Sequence, residues 1–252
     1  MPRRFAGRVA LITGGATGLG RAFADALIDD GAVVALADID AGAAEEAAAQ
    51  LDGRDAVASA VACDVADERS VQRAVDEVVE RHGGVDILVN NAARHLKKYN
   101  QPFSTLTNDE IRGLFDVNVM GIIHCSLACR SSMADRGGGA IVNISSAAGY
   151  VATTPYGVTK LAVRGLTIAF ATELADDRIR VNAVAPTVTP TESVLAEYSA
   201  AELERSVATR QLVRRTATAD DVARTVLFLC SDEAGFITGE TIRVTGGAAL
   251  SI

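Results

Sequence analysis

The sequence predicts a single α/β domain with a doubly wound, mostly parallel seven-stranded sheet and helices on both faces. Short β-branched apolar runs alternate with longer segments of helical period, and the runs are apolar throughout rather than at every second residue. No Pro/Gly/Ser-rich linker or low-complexity tract divides the chain. With 252 residues, 49% of them hydrophobic, residues 1–252 can bury a large core as one domain.

The elements follow from this alternation in chain order. The predicted strands are Val9–Ile12, Val33–Ala37, Ala56–Ala62, Ile87–Val89, Ile141–Ile144, Ile179–Val184 and Thr241–Val244. The predicted helices are Gly20–Asp29, Ala43–Leu51, Glu68–His82, Asn108–Asp135, Pro155–Ala175 and Ala219–Cys230. Glu192–Arg210 also has a helical pattern, but it follows two prolines and carries few large apolar groups. We therefore expect residues 187–212 to form a mobile segment that covers the substrate.

Composition argues against several classes of function. The chain has 24 basic and 32 acidic side chains, a net charge of −8, and no Lys/Arg-rich run, so nucleic acid is not the expected partner. The longest apolar runs, such as Ala32–Ala37 and Val226–Cys230, are too short to cross a bilayer. No cleavable signal is apparent and the four cysteines form no C-x-x-C. We expect a cytoplasmic protein with reduced core thiols and no membrane partner.

A glycine-rich turn joins the first predicted strand to the first predicted helix. Glycines let the chain turn tightly and let a pyrophosphate approach the backbone, and the helix N-terminus adds free N–H groups. An ordinary strand–helix loop could have the same composition. In the dinucleotide interpretation the cofactor-binding residues here are Gly14, Thr17, Gly18, Leu19 and Gly20.

Asp38 strengthens the dinucleotide interpretation. It lies eighteen residues past Gly20, at the end of the second strand. A carboxylate there can accept hydrogen bonds from both hydroxyls of an adenosine ribose and repels a 2′-phosphate. The positions that could hold a compensating cation are Thr17 and Ile39, both neutral. The cofactor is therefore predicted to be NAD rather than NADP, although Asp38 could also be a surface or helix-capping acid.

Further polar residues follow the next two strands. Asp64 and Val65 close the third strand, and Asn90 and Ala92 lie at the end of the fourth. Ligands of parallel sheets bind beyond the carboxyl ends of the strands. We expect Asp64 and Val65 near the adenine and Asn90 near the adenosine, while turn chemistry alone would explain the same residues.

Tyr156 and Lys160 are the candidate chemical groups, because they lie one turn apart on one face of the fifth helix. Ser145 and Ser146 end the strand before it. A tyrosine with a pKa of about 10 is a poor base at neutral pH, and a nearby ammonium favours the phenolate. Lys160 could supply that charge and bond the nicotinamide ribose. A serine hydroxyl could hold the reacting oxygen for proton transfer.

The whole chain resembles the short-chain dehydrogenase/reductase family. Eight motifs carry the resemblance in order: TGGATGLG at Thr13–Gly20, Asp38, CDV at Cys63–Val65, NNA at Asn90–Ala92, NVMG at Asn118–Gly121, NISSAAG at Asn143–Gly149, YGVTK at Tyr156–Lys160 and VNAVAP at Val181–Pro186. The resemblance implies a Rossmann-type fold and a homotetramer built through the fourth and fifth helices and the C-terminal edge.

The resemblance also assigns roles. The catalytic serine is Ser146 by register with the motif's glycine, Tyr156 is the proton donor or acceptor, and Lys160 is its electrostatic partner. Asn118 is the fourth catalytic residue; it holds a kinked helix and a water that links Lys160 to solvent. The nicotinamide amide is contacted just after Pro186, by the backbone of Val188, and by Thr191.

Three positions depart from the family pattern. Ala93 replaces the glycine of NNAG, and Thr187 replaces the glycine after Pro186. The interval from Ser146 to Tyr156 is ten residues, a few fewer than usual. Since that interval helps to form the substrate pocket, we expect an altered substrate shape rather than altered chemistry.

The histidines suggest a substrate contact rather than a metal site. The chain has no H-E-x-x-H and no carboxylate cluster at metal spacing, so we expect no metal, and His124, Cys125 and Cys129 are expected in the core. His95 follows a strand end close to the expected pocket. It could contact substrate or simply be solvated. Ala148 and Tyr150 are candidate pocket walls.

The leading hypothesis is an NAD-dependent alcohol dehydrogenase or carbonyl reductase acting on a secondary alcohol or ketone, a small-molecule substrate of moderately apolar character. One alternative is an NADPH-dependent 3-oxoacyl-thioester reductase, which Asp38 and the acidic charge balance disfavour. The other is a non-catalytic nucleotide-binding sensor on the same fold, which the Ser146, Tyr156 and Lys160 set disfavours.

Overall fold

The structure, a computed structural model, describes residues 3–52 and 57–250. Within these ranges seven parallel strands form one sheet in the order β3-β2-β1-β4-β5-β6-β7. The strands are β1 Val9–Thr13, β2 Val33–Asp38, β3 Ala58–Ala62, β4 Ile87–Asn90, β5 Gly139–Ile144, β6 Ile179–Pro186 and β7 Thr241–Val244. The predicted doubly wound α/β class is confirmed and the sheet is parallel throughout. Ala56, predicted in the third strand, lies outside the described residues.

Helices connect consecutive strands. The longer ones are α1 Gly18–Asp29, α2 Ala41–Asp52, α3 Glu68–His82, α4 Asn108–Phe115, α5 Gly121–Asp135, α7 Pro155–Glu173, α9 Ala200–Arg210 and α10 Ala219–Cys230, and the short ones are α6 Ala148–Val151 and α8 Glu192–Leu195. A 3₁₀ turn covers Lys97–Asn100 in the loop after β4. Caps explain several boundaries. The Asp67 side chain accepts from the backbone N–H of Arg69 at the start of α3, and Gly83 ends that helix in the left-handed conformation.

The sheet has one apolar core on each face. Alternate strand residues point to opposite sides, as Ile12 and Leu11 do in β1. Helices α1, α2 and α10 pack on one face through side chains such as Phe23 and Leu51. Helices α3, α5 and α7 pack on the other through side chains such as Met133 and Phe170. Both strand faces are therefore buried, which explains the continuous apolar runs.

Two helix predictions need correction. The expected single helix over Asn108–Asp135 contains a π-helical turn at Asp116–Met120, between α4 and α5. The buried Asn118 lies in this turn and bonds to residues outside the helix, which accounts for the extra residue. The expected helix Glu192–Arg210 is two helices, α8 and α9, because Ser199 caps α9 in a capping box with Glu202.

The continuous helical stretch 108–135 has the length and composition of a membrane span, and one third of its apolar window is buried inside the protein. Cys125, Cys129 and Met133 in this stretch belong to the apolar core on the face of the sheet that is covered by α3, α5 and α7. A core helix satisfies the same criteria of length and hydropathy. The four cysteines, at 63, 125, 129 and 230, are free and buried, as predicted.

Candidate active site

The carboxyl ends of the parallel strands bring the candidate residues to one edge of the sheet. Thr13, Asp38, Asn90, Ile144 and Pro186 are the last residues of β1, β2, β4, β5 and β6. These strands are neighbours in the sheet, with β1 between β2 and β4. Residues distant in the sequence therefore meet at this edge.

The glycine turn leaves room and donors for an anionic ligand. A side chain at Gly20 would place its Cβ 2.1 Å from the carbonyl oxygen of Gly14, so only glycine allows α1 to start here. Gly18 has a φ of +57°, and a Cβ there would meet only Thr191, at 3.5 Å. Thr17, the N-cap of α1, makes no side-chain cap. The side chain of the N-cap residue therefore does not bond the backbone N–H groups in the first turn of α1. A pyrophosphate could accept hydrogen bonds from these groups.

Asn91 holds the glycine turn in place. Its side-chain Nδ2 donates to the carbonyl oxygens of Thr13 at 3.0 Å and Gly14 at 2.9 Å. In return, the hydroxyl oxygen of Thr13 accepts from the backbone N–H groups of Asn91 and Ala92, at 3.0 and 3.1 Å. The end of β4 and the end of β1 are therefore fastened to each other directly beneath the turn.

Asp38 lies beside the same turn. Its Oδ2 accepts from the backbone N–H of Ala16 at 3.1 Å, and its Oδ1 from that of Asp40 at 3.2 Å. Asp38 is half-buried and the next residue, Ile39, is 73% exposed. Among the described residues, both hydrogen bonds to the Asp38 carboxylate come from backbone N–H groups and neither from a cationic side chain, so the local charge is negative.

The adenine-side candidates have different surroundings. Asp64 accepts from the backbone N–H of Ala66 at 3.0 Å, and the buried Val65 accepts from His124 Nδ1 at 2.9 Å through its carbonyl oxygen. The buried Asn90 side chain donates to Asn143 Oδ1 at 2.9 Å. The amide of Asn90 therefore points into the sheet's interior, which leaves its backbone as the part available to a nucleotide.

Tyr156 and Lys160 begin α7, and both approach the end of β5. Lys160 is 3% exposed, and its Nζ donates to the carbonyl oxygen of Ile144 at 2.7 Å. The same nitrogen lies 5.7 Å from the centroid of the Tyr156 ring. Ser146 accepts from the backbone N–H of Ala148 at 3.2 Å, which leaves its hydroxyl hydrogen for Tyr156. The three side chains are brought together as expected.

Burial dominates the electrostatics of this group. It lowers the pKa of Lys160 to about 8 and raises the pKa of Tyr156 to about 12. The hydrogen bond from Ser146 acts against the rise at Tyr156, and the nearby Tyr198 phenol adds to it. The expected lowering of the phenol pKa by Lys160 is thus absent in the chain without ligand. The ammonium lies over the ring, and desolvation of the phenolate outweighs its attraction.

Asn118 links three elements. It is fully buried; its Oδ1 accepts from the backbone N–H of Arg94 at 2.7 Å, and its Nδ2 donates to the carbonyl oxygen of Arg94 at 3.0 Å and to Thr159 Oγ1 at 3.1 Å. Thr159 in turn donates to the carbonyl oxygen of Tyr156 at 2.8 Å. Asn118 therefore connects the kinked helix to the loop after β4 and to the turn of α7 that carries Tyr156.

The loop after β6 returns to the glycine turn. The carbonyl oxygen of Pro186 accepts from the backbone N–H of Ala147 at 2.8 Å, which ties this loop to the residues after Ser146. Val188 is 41% exposed. Thr191 lies over Gly18, so a predicted nicotinamide contact and a predicted pyrophosphate contact are neighbours.

The residues expected to contact substrate, His95, Ala148 and Tyr150, do not all lie at the same place. His95 lies in the loop after β4 and contacts Ser193 across the crevice at 3.1 Å. Ala148 starts α6, next to Ser146. The guanidinium groups of Arg164 and Arg243 lie 3.8 and 5.0 Å from the centroid of the Tyr150 ring, whose hydroxyl donates to the carbonyl oxygen of Thr241 in β7. These contacts of Tyr150 lie toward the edge strand rather than toward Tyr156. Within the described ranges no three His, Cys, Asp or Glu side chains are grouped to hold a metal.

The sequence did not assign supporting roles to Asn91, Thr159 or Ser145. Ser145 is buried and donates to the carbonyl oxygen of Lys160 at 2.8 Å, so it helps to hold the backbone of Lys160 in place. Only the doubling of asparagine after β4 could have pointed to Asn91. For Thr159 and Ser145 no sequence signal separates a supporting hydroxyl from an ordinary core residue.

Several known proteins are similar in sequence to this chain. The model of a family described as enoyl-(acyl carrier protein) reductase matches residues 14–249. A sorbitol dehydrogenase of Cereibacter sphaeroides is 38% identical over 261 residues, covering 98% of this chain and 100% of that protein. The human dehydrogenase/reductase SDR family member 4 is 36% identical over 252 residues, covering 98% of this chain and 90% of that protein.

A solved structure has a similar fold. Levodione reductase superposes with a TM-score of 0.92 at 30% identity, covering 99% of this chain and 100% of that one. Fold and site define an oxidoreductase that uses a nicotinamide cofactor. The chain belongs to the short-chain dehydrogenase/reductase family.

Proposed function

We propose that this protein transfers a hydride between NAD(H) and the carbon of a secondary alcohol or ketone. The observation that carries the proposal is the convergence of Ser146, Tyr156 and Lys160 at the sheet edge that also carries the glycine turn. A nicotinamide cofactor, when bound, supplies or accepts the hydride. The protein's own part is to position the substrate oxygen and to exchange its proton.

The proton moves at the phenolic oxygen of Tyr156. With a pKa of about 12 the phenol is neutral at pH 7, which is the form that donates a proton to the oxygen of a carbonyl as it is reduced. In the oxidative direction the phenolate accepts the hydroxyl proton. The Lys160 ammonium, 5.7 Å from the ring centroid, is the charge proposed to offset part of the cost of burying this form, and Ser146 holds the substrate oxygen within reach.

NAD is proposed over NADP on charge. The Asp38 carboxylate suits ribose hydroxyls and opposes a 2′-phosphate, and the neighbouring positions Thr17 and Ile39 carry no cation. The remaining nucleotide contacts are proposed at Gly14, Leu19, Gly20, Asp64, Val65, the backbone of Asn90 and Ala92, and at Pro186, Val188 and Thr191.

The proposed substrate is a small, moderately apolar secondary alcohol or ketone in the crevice between His95, Ala148 and Tyr156. A relative named sorbitol dehydrogenase supports an alcohol as the reduced form. The description of the matching family names an acyl carrier protein, so the acyl-thioester reductase stays the alternative. The acidic net charge of −8 disfavours docking of an acidic carrier protein.

The proposed assembly is a cytoplasmic homotetramer. Leu127 on α5 and Leu161 and Ile168 on α7 are 46, 45 and 60% exposed, so both helices carry large apolar side chains on their outer surface. These helices are the ones through which the family resemblance implies association.

A panel of secondary alcohols and ketones, each assayed with NAD(H) and NADP(H) side by side, tests the proposal. We expect the absorbance of the reduced nicotinamide to change when NAD(H) is assayed with at least one substrate of the panel. Turnover of a 3-oxoacyl thioester with NADPH alone would establish the alternative. Cofactor binding without turnover of any substrate would support the non-catalytic sensor.

A further inference from the structure

Two loops meet across the entrance to the site. One is the loop after β4, at residues 93–98, and the other is the segment 191–210, which contains α8 and α9. His95 Nε2 lies 3.1 Å from the hydroxyl of Ser193, and that hydroxyl lies 3.2 Å from the hydroxyl of Thr191. A chain of hydrogen bonds therefore runs from the loop after β4 to Thr191, and Thr191 lies over Gly18 of the glycine turn.

The other ring nitrogen of His95 sets the direction of this chain. Nδ1 lies 3.3 Å from the carbonyl oxygen of Ala93, which can only accept, so in the neutral ring the proton is assigned to Nδ1. Nε2 then accepts from Ser193, and Ser193 accepts from Thr191. In this chain Ser193 both donates and accepts, and Thr191 donates, without conflict.

Lys97 makes a second set of contacts between the same two loops. Its Nζ bonds to Glu202 at 2.7 Å, and its backbone N–H donates to the carboxylate of Glu197. The ammonium also lies 5.0 Å from the centroid of the Tyr198 ring. All three partners belong to the segment 191–210: Glu197 and Tyr198 lie between α8 and α9, and Glu202 lies in α9.

Lys98 provides a natural comparison. Its Nζ bonds to Glu110 at 2.8 Å and lies 5.0 Å from the Tyr99 ring. Lys98 thus has the same kinds of partners as Lys97, at similar exposure: 47% against 44% for the lysine side chain. Tyr99 lies in the 3₁₀ turn after β4 and Glu110 lies in α4, so the ion pair of Lys98 does not reach the segment 191–210.

We propose that His95 and Lys97 are positioning residues that fasten the segment 191–210 over the glycine turn and so retain the bound nicotinamide cofactor. This inference rests on the proposed function, because it requires a cofactor at the glycine turn. Thr191 can lie over Gly18 only while the segment is closed, and release of a ligand beneath it requires opening. Breaking either set of contacts therefore speeds release.

The experiment measures NADH release by stopped flow in wild type, Lys97→Ala and the matched Lys98→Ala. We expect release to be about threefold faster in Lys97→Ala, in line with one exposed ion pair, and unchanged in Lys98→Ala. Equal rates in the two variants would overturn the role of Lys97. Thermal midpoints of both variants show whether a difference reflects the segment alone or the whole fold.

A double-mutant cycle tests His95. We expect His95→Phe and Ser193→Ala each to speed release by about threefold and the double variant to be no faster than either single one, since both remove one bond. His95→Gln, which keeps an acceptor, restores most of the wild-type rate. Fully additive effects would show that His95 does not act through Ser193.

Trypsin cleavage after the exposed Arg205 in α9 separates this inference from the proposed function. In the chain without cofactor, cleavage is expected to be faster in Lys97→Ala than in Lys98→Ala. A wild type that binds neither NADH nor NADPH would overturn the proposed function, and with it cofactor retention, while the proteolysis still decides whether the fastening exists. Normal binding and turnover with identical release and proteolysis in all variants would overturn the inference alone.

Discussion

The side-chain amide of Asn91 donates at 2.9 Å to the carbonyl oxygen of Gly14, seventy-seven residues earlier in the chain. The same amide reaches the carbonyl oxygen of Thr13 at 3.0 Å. The Asn91 amide thus bonds both carbonyl groups at the end of β1. The shape of the glycine turn thus depends on a residue of another strand.

Replacing Asn91 should therefore weaken both the fold and the binding of cofactor. Asn91→Ala removes both bonds, for which we expect a loss of about 2 kcal/mol in the free energy of unfolding. We expect the Kd for NADH to rise about tenfold. Asn91→Asp should be worse, since it places a carboxylate against two carbonyl oxygens. Urea unfolding and NADH titration measure both effects, and an unchanged Kd in either variant would refute the role of Asn91.

Lys160 should make stability depend on pH in the alkaline range. Burial lowers its pKa from 10.5 to about 8, so between these values the unfolded chain binds more protons and stability rises with pH. Below pH 8 both states are protonated and the cost of burying the charge is fully present. The free energy of unfolding of Lys160→Met, relative to wild type, should therefore fall by about 3 kcal/mol from pH 7 to pH 10.5.

The comparison with Lys160→Met separates this effect from opposing ones. Burial raises the pKa of Tyr156 to about 12 and that of Cys63 to about 11, so both groups lower stability as the pH rises above their unfolded values. These contributions occur in both proteins and cancel in the difference. A difference that stays constant across the range would mean that Lys160 is not desolvated as described.

Cofactor preference should follow the charge at the end of β2. We expect wild type to prefer NAD to NADP by at least about tenfold in kcat/KM, the equivalent of about 1.4 kcal/mol. The double variant Asp38→Asn/Ile39→Arg removes the repelling carboxylate and adds a cation at an exposed position, so the preference should move toward NADP. Preference for NADP in wild type would show that the interpretation of Asp38 is wrong.

Association should depend on the exposed apolar side chains of α7. Ile168→Arg places a charge at the centre of the expected interface, so we predict that the tetramer measured by light scattering dissociates. Val57→Arg is the control, since Val57 is similarly exposed, at 51%, but lies beside the edge strand β3. A monomeric wild type, or a tetramer that survives Ile168→Arg, would contradict the proposed assembly.

Local pattern was enough to predict the strands and the glycine turn, because burial on both faces and a tight turn each leave their mark on consecutive residues. Ser146, Tyr156 and Lys160 could be named for the same reason, with the family resemblance choosing Ser146 over Ser145. The interior of the site could not be predicted in this way. The π-helical turn exists because Asn118 bonds with Arg94 and Thr159, twenty-four and forty-one residues away.

The direction of the pKa shift of Tyr156 also could not be predicted from the sequence. The spacing of Tyr156 and Lys160 predicts attraction between ammonium and phenolate, yet it contains no information about desolvation. The packing of α7 against β5 buries both groups and raises the pKa of the phenol instead. The contacts of Lys97 with the segment 191–210 were missed as well, because Lys97 and Lys98 are indistinguishable until the fold assigns their partners.

The most direct test of the account is hydride transfer by Tyr156→Phe, measured in single turnover with NADH bound and a ketone found in the substrate panel. Removing one hydroxyl should lower the rate by about a hundredfold or more and leave the Kd for NADH within about twofold. Tyr99→Phe, which alters a buried tyrosine outside the site, should keep the wild-type rate. A Tyr156→Phe enzyme that transfers hydride at the wild-type rate would contradict the central claim.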